Sequence, residues 1–163
     1  MAELSPAEKL QPSLLDRLRD DKPGEQIESR EGRVISTRML RDYVIRDLTW
    51  LLNTVKLSVQ QDLASTPEVG KSVLNYGVSC MTGVSVGRDD VRPIELEVRR
   101  AVIDFEPRIS AQSLIVRVFF NTEEMGRNAM VIEIEGELWG NPIPTNLYLK
   151  TSIDLETGSV NVI

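Results

Sequence analysis

Between residues 36 and 56 apolar side chains recur at helical spacing. Leu40, Val44, Leu48, Leu51, Leu52 and Val55 share one face, and Arg38, Arg41, Asp42 and Arg46 lie off it. The pattern predicts a helix with Ser36 as its N-cap. Trp50 extends the face and is expected in the core, as a large aromatic anchor. A shorter helix is expected after Thr66-Pro67-Glu68, with Thr66 as cap, proline in the first turn and an acidic residue at the positive end. Its apolar contacts would be Val69, Val73 and Leu74. Gly77 is expected in left-handed geometry beyond it, opening a loop region with Gly83 and Gly87.

Residues 93–105 predict a second main helix. Pro93 suits its first turn, and Ile94, Val98, Ala101, Val102 and Phe105 form its buried stripe. Pro107 should end it, because the residue before a proline is pushed out of helical geometry. The period then changes from 3.6 to 2. Leu114 to Phe120 is rich in branched and aromatic residues, and 121–128 is a turn region. From Met130 to Leu138 one face carries Met130, Ile132, Ile134 and Leu138, and the other Val131, Glu133, Glu135 and Glu137. After a loop at 141–144, Leu147, Leu149, Ile153 and Leu155 alternate again. Glu156-Thr157-Gly158 is a hairpin turn, and 159–163 pairs back. The expected fold is α+β: N-terminal helices packed on a C-terminal antiparallel four-stranded β-meander.

The first 32 residues break this regularity. Pro6, Pro12, Pro23 and Gly24 interrupt a polar stretch. The expected organisation is a flexible N-terminal segment over 1–32 and a single domain over 33–163. Within the segment, Leu14, Leu15 and Leu18 fall on one side of a short amphipathic helix. Such a helix is marginal in water unless it packs on something. It either lies on its own domain or docks on a partner.

Composition narrows the function. The chain has 163 residues, which suits one domain able to bury a core unaided. Its net charge of −6 points away from nucleic acid. A single cysteine, Cys80, allows no internal disulfide and fits a reducing, cytoplasmic compartment. The first residues carry acidic side chains and no long apolar run, so no export signal is expected. Nothing is apolar enough to insert in a membrane. There is no histidine. That removes the usual Ser-His-Asp and Cys-His nucleophile systems and the commonest metal ligand, so no metal and no cofactor are expected.

Two groups of residues remain as candidates for chemistry. Glu133, Glu135 and Glu137 line one face of a strand, and paired carboxylates could flank a sugar bond. An acid of that kind must be desolvated, and nothing in the sequence marks one of them so. The solvated face of an antiparallel sheet has the same composition. Glu106-Pro107-Arg108 follows the second main helix, where the proline would hold both charges at a defined place. Two readings stand open: an internal Glu–Arg pair, or an arginine fork offered to a partner.

Four stretches, taken together, carry a resemblance. They are Leu10-Gln11-Pro12-Ser13-Leu14-Leu15-Asp16-Arg17-Leu18, the run from Val44 to Thr54, Ser72-Val73-Leu74-Asn75-Tyr76-Gly77, and Phe105-Glu106-Pro107-Arg108-Ile109. In this order, with a β-meander after them, they resemble the TssE family of type VI secretion baseplate subunits. That family is similar to the small contractile-phage wedge protein, sometimes labelled lysozyme-like. The resemblance implies a structural, non-enzymatic wedge component in the cytoplasm, assembled at the inner membrane face. The partners it implies are TssF, TssG and TssK in the baseplate and TssB and TssC in the sheath. It maps an interaction motif onto Glu106, Pro107 and Arg108. It also likens the β-part to the interlocking domain of sheath subunits, whose segment would add to the 159–163 edge. With Leu14, Leu15 and Leu18, these are the expected partner-binding residues. The alternatives are a muramidase working through Glu133, Glu135 or Glu106, and an adaptor outside secretion.

Overall fold

A computed structural model describes residues 13–18, 36–80, 91–121, 129–138 and 145–163. Helix α1 is Leu14–Leu18, α2 is Thr37–Leu52, α3 is Pro67–Gly70 and α4 is Arg92–Phe105. Four strands follow: β1 (Ile115–Asn121), β2 (Ala129–Leu138), β3 (Thr145–Asp154) and β4 (Val160–Val162). They form one antiparallel sheet in the order β1-β2-β3-β4. The architecture is the expected α+β arrangement of helices on a four-stranded meander.

The core lies between the sheet and helices α2 and α4. Alternation sends Met130, Ile132, Ile134 and Leu138 inward from β2, and Leu147, Leu149 and Ile153 from β3; all are buried. Leu40, Val44, Leu48, Leu51 and Leu52 of α2, with Val98, Ala101 and Val102 of α4, close over them. Thr151 is the buried polar residue of the inner face, and its hydroxyl donates to the Ile132 carbonyl at 3.1 Å. Gly136 occupies an inward position where a Cβ would stand 2.8 Å from Ile109 Cγ2. Its missing side chain lets the Ile109 segment bridge to Leu138.

The caps explain the ends. Ser36 Oγ accepts the Met39 N–H and starts α2. Helix α4 stops at Phe105, as Pro107 requires. Gly77 has φ +122°, and a Cβ there would meet the Thr54 carbonyl oxygen at 2.3 Å. That approach lets Thr54 and Lys56 exchange backbone hydrogen bonds with Val78. Asp154 Oδ1 accepts the N–H groups of Glu156 and Thr157, and Gly158 at φ +73° completes the β3–β4 hairpin.

Several expectations fail in detail. The long helix ends at Leu52, so Val55 leaves it and stands half exposed. Trp50 is 48% exposed and not in the core, and the Arg46 guanidinium packs over its ring, 4.8 Å from the centroid. Thr66 precedes α3 without a side-chain capping bond. Val73 and Leu74 lie in a 3₁₀ turn and point to solvent. Val131, on the polar face of β2, is buried between its cross-strand neighbours Phe119 and Ser152. Residues 1–12, 19–35, 81–90, 122–128 and 139–144 lie outside the described residues. With them lie Gly83, Gly87, most of the N-terminal segment and the two loops expected around β2.

Candidate docking site

The chain after α4 turns sharply at Glu106-Pro107-Arg108. Glu106 is the C-cap of the helix and only 3% exposed, Pro107 is exposed, and Arg108 is half-buried. The arginine points inward. Its Nε donates to Glu106 Oε1 at 2.6 Å, and its Nη2 donates to Glu106 Oε2 and to Asp47 Oδ2, both at 2.5 Å. Burial works against the charge on Arg108, but the hydrogen bonds and charges of Glu106 and Asp47 outweigh it. The pKa is raised well above the usual guanidinium value. The internal pair is thus formed, and Asp47 of α2 extends it.

Asp47 also receives Arg46, whose Nε and Nη2 donate to Asp47 Oδ1 at 2.8 and 2.7 Å. Arg46 Nη1 reaches Asp16 Oδ1 of α1 at 2.6 Å. Ser13 Oγ donates to Asp16 Oδ2 at 2.7 Å. Burial raises the Asp16 pKa, but the hydrogen bonds of Arg46 and Ser13, with the charges of Arg46 and Arg108, bring it below the usual value. One chain of ion pairs therefore runs Glu106–Arg108–Asp47–Arg46–Asp16. It ties three segments that are distant in sequence.

This chain fixes how α1 sits. The helix rests on its own domain through its polar side, with Asp16 buried. Leu14, Leu15 and Leu18 face outward, exposed by 71%, 55% and 76%. Next to it a pocket of about 400 Å³ is lined by Ser13, Leu40, Tyr43, Phe105, Glu106, Pro107 and Arg108. Its lining is mainly apolar, with Glu106 and Arg108 as its charged members. Tyr76 braces the site: its ring meets Phe105 edge-on at 5.2 Å and its hydroxyl donates to the Asp47 carbonyl at 3.3 Å. Burial, then the charges of Asp47 and Glu106, raise the Tyr76 pKa.

The structure brings the two expected partner-binding segments, 14–18 and 106–108, to one surface. The residues that join them, Asp16, Arg46 and Asp47, are not among those singled out from sequence. The available signal was weak: charged residues beside the apolar face of a helix are ordinary.

The other candidate group looks different. Glu135 accepts from Arg117 at 2.8 Å, and Glu133 lies 3.6 Å from Lys150. Glu137 is exposed. These carboxylates form a cross-strand ladder on the outer face of the sheet. Glu106, the remaining candidate acid, is held by Arg108. Among the described residues no cluster of three His, Cys, Asp or Glu side chains is arranged to hold a metal ion. None of the described helices is long and apolar enough to cross a membrane.

Residues 38–143, about two thirds of the chain, match the family of baseplate wedge protein gp25. The chain belongs to the gp25 family. Comparison with curated proteins and with solved structures gave no match. Membership makes the chain a structural component of a baseplate wedge in a phage tail-like assembly. The matched span starts just inside α2 and takes in α4 and the Glu106-Pro107-Arg108 turn. It leaves out α1, β3 and β4, so the gp25 match says nothing of the leucines or the last hairpin.

Proposed function

We propose that this gp25-family chain is the TssE-type wedge subunit of a type VI secretion baseplate. It joins TssF and TssG, with TssK nearby, and helps start the contractile sheath built from TssB and TssC. The work is docking in the cytoplasm, at the inner membrane face, and not catalysis. The observation that carries this reading is the composite surface in which three outward leucines, exposed Pro107 and an apolar pocket adjoin. An apolar pocket with two charged lining residues suits a side-chain anchor from a partner. The Glu106-Pro107-Arg108 turn serves it twice: Pro107 offers contact area, and Arg108 holds the surface in shape. The β4 edge is the proposed place for a sheath segment to add as a further strand. The muramidase alternative has no support from the site, because Glu106, Glu133 and Glu135 each face a cation.

The test is affinity purification of the tagged chain from its host, followed by mass spectrometry. Wild type should bring down TssF, TssG, TssK, TssB and TssC. A Leu15→Glu/Leu18→Glu variant should stay folded and lose the wedge proteins. Wild type recovering none of the five would overturn the assignment. Deletion of 159–163 in a chain that still folds should impair sheath assembly, and unchanged assembly would remove the edge from the proposal.

A further inference from the structure

The two edges of the sheet are closed in different ways. At β1, one side chain of α4 takes an outward backbone group of the strand and another binds carbonyls in the segment just before it. Glu95 Oε1 accepts the Val118 N–H at 3.1 Å, and Arg99 donates to the carbonyls of Ala111 and Leu114 at 3.1 and 3.4 Å. At β4 the closure is partial. Ser159 and Ile163 bond back to β3, through Asp154 N–H to the Ser159 carbonyl and Ile163 N–H to the Lys150 carbonyl. Alternation therefore turns the backbone groups of Val160 and Val162 away from the sheet. Val160 meets Asn53, the C-cap of α2. Its N–H donates to Asn53 Oδ1 at 3.0 Å, and its carbonyl accepts from Asn53 Nδ2 at 3.2 Å. Asn53 Nδ2 also donates to the Thr49 carbonyl at 2.9 Å, which anchors the amide to the helix. One carboxamide thus binds both groups of one residue, as a residue of a neighbouring strand would. No such side chain meets Val162 among the described residues, and its side chain is 44% exposed.

We propose that Asn53 is a register stop on the β4 edge: it holds the place beside Val160 that an added strand would take, so an extended partner segment pairs first with Val162. This rests on the strand-addition reading above and assigns its starting point. A slip of one residue would exchange the faces of every side chain in the added strand, so a fixed stop at one end decides which face packs.

The experiment is residue-resolved amide exchange on the full chain, alone and with purified TssB and TssC sheath subunits. It uses wild type, Asn53→Ala and Asn53→Asp. Asp keeps the acceptor for the Val160 N–H and loses the donor to the Val160 carbonyl. Alone, wild-type Val160 should exchange about tenfold more slowly than Val162, and Asn53→Ala should erase that difference. Asn53→Asp should keep it. With the sheath subunits, Val162 should become protected in wild type. In Asn53→Ala both Val160 and Val162 should be protected, since the stop is gone. Fast Val160 exchange in free wild type would overturn the stop itself. Sheath binding with Val162 still exchanging freely would overturn the assigned register. A failure of wild type to bind the sheath, with Val160 protected as expected, would overturn strand addition and leave Asn53 as a cap on the edge.

Discussion

Among the described residues, two clusters of acidic and basic side chains are built from the same residue types. One is the chain of pairs from Glu106 through Arg108, Asp47 and Arg46 to Asp16. The other is the ladder of Arg117, Glu135, Glu133 and Lys150 on the outer face of the sheet. The first is largely out of water: Glu106 and Asp16 keep 4% and 1% of their side-chain surface exposed. The second is open, with Arg117 and Glu135 at 46% and 36%. Removing one member of a buried pair leaves an uncompensated charge, whereas water replaces a lost partner at the surface. The first cluster also joins segments far apart in sequence, and the second joins strands that the backbone already pairs. The difference lies in burial and connectivity, not in the number of ion pairs.

The largest effect should come from Arg108→Ala. It strands the buried Glu106 and takes from Asp47 one of its two arginine partners, and should cost about 3 kcal/mol of stability. In urea denaturation this reads as a lowered midpoint with unchanged slope. A change no larger than that of Arg117→Ala would erase the contrast. Arg108→Glu should be worse still, and loss of binding in that variant would then report unfolding.

Asp16→Asn should come next, at about 1–2 kcal/mol. Its local signature is sharper: amide exchange should rise in Leu14–Leu18 and stay unchanged in the middle of α2. Equal loosening of both helices would mean that α1 is not held by this pair.

The acid limb provides a third test. Asp16 titrates below its ordinary value in the folded chain, so its contribution is complete above about pH 4 and is lost as pH falls through the folded pKa. Glu97 behaves in the same way. Burial raises its pKa, but the hydrogen bonds of Lys56 and Ser79 lower it further. Wild type should therefore lose stability more steeply below pH 4 than Asp16→Asn does. Parallel acid limbs in the two proteins would place the titration elsewhere.

The smallest effect belongs to the ladder. Glu135→Gln should change stability by no more than about 0.5 kcal/mol, and raising NaCl to about 1 M should remove even that. A larger or salt-resistant loss would mean that the outer face is covered.

Much of the fold was legible because the periods are clean. The switch from 3.6 to 2 between Phe105 and Leu114 separates the helices from the sheet, and Pro107 marks the break. The β2 alternation is right at every inward position, and Gly158 fits its turn. The site was legible in pieces. Leu14, Leu15, Leu18 and the 106–108 turn stand out by local pattern, but nothing local says that they meet. Trp50 was misread because amphipathic spacing cannot tell a core aromatic from one sheltered by an arginine four residues earlier. Asp47 and Asn53 carry no local mark at all. One is an ordinary charge beside the helix face, and the other an ordinary polar residue inside the expected helix.

The sequence by itself determined the helices, the meander, the apolar faces that join them, and the absence of histidine-dependent chemistry. Each follows from spacing along the chain or from composition. Tertiary structure alone decided which way Arg108 turns, that Asp16 and not the leucines holds α1 to the domain, and that Asn53 reaches Val160. Those outcomes depend on pairs 30 to 107 residues apart. A hydrogen bond is settled by the distance between two groups in space, and that distance exists only once the core has brought their elements together.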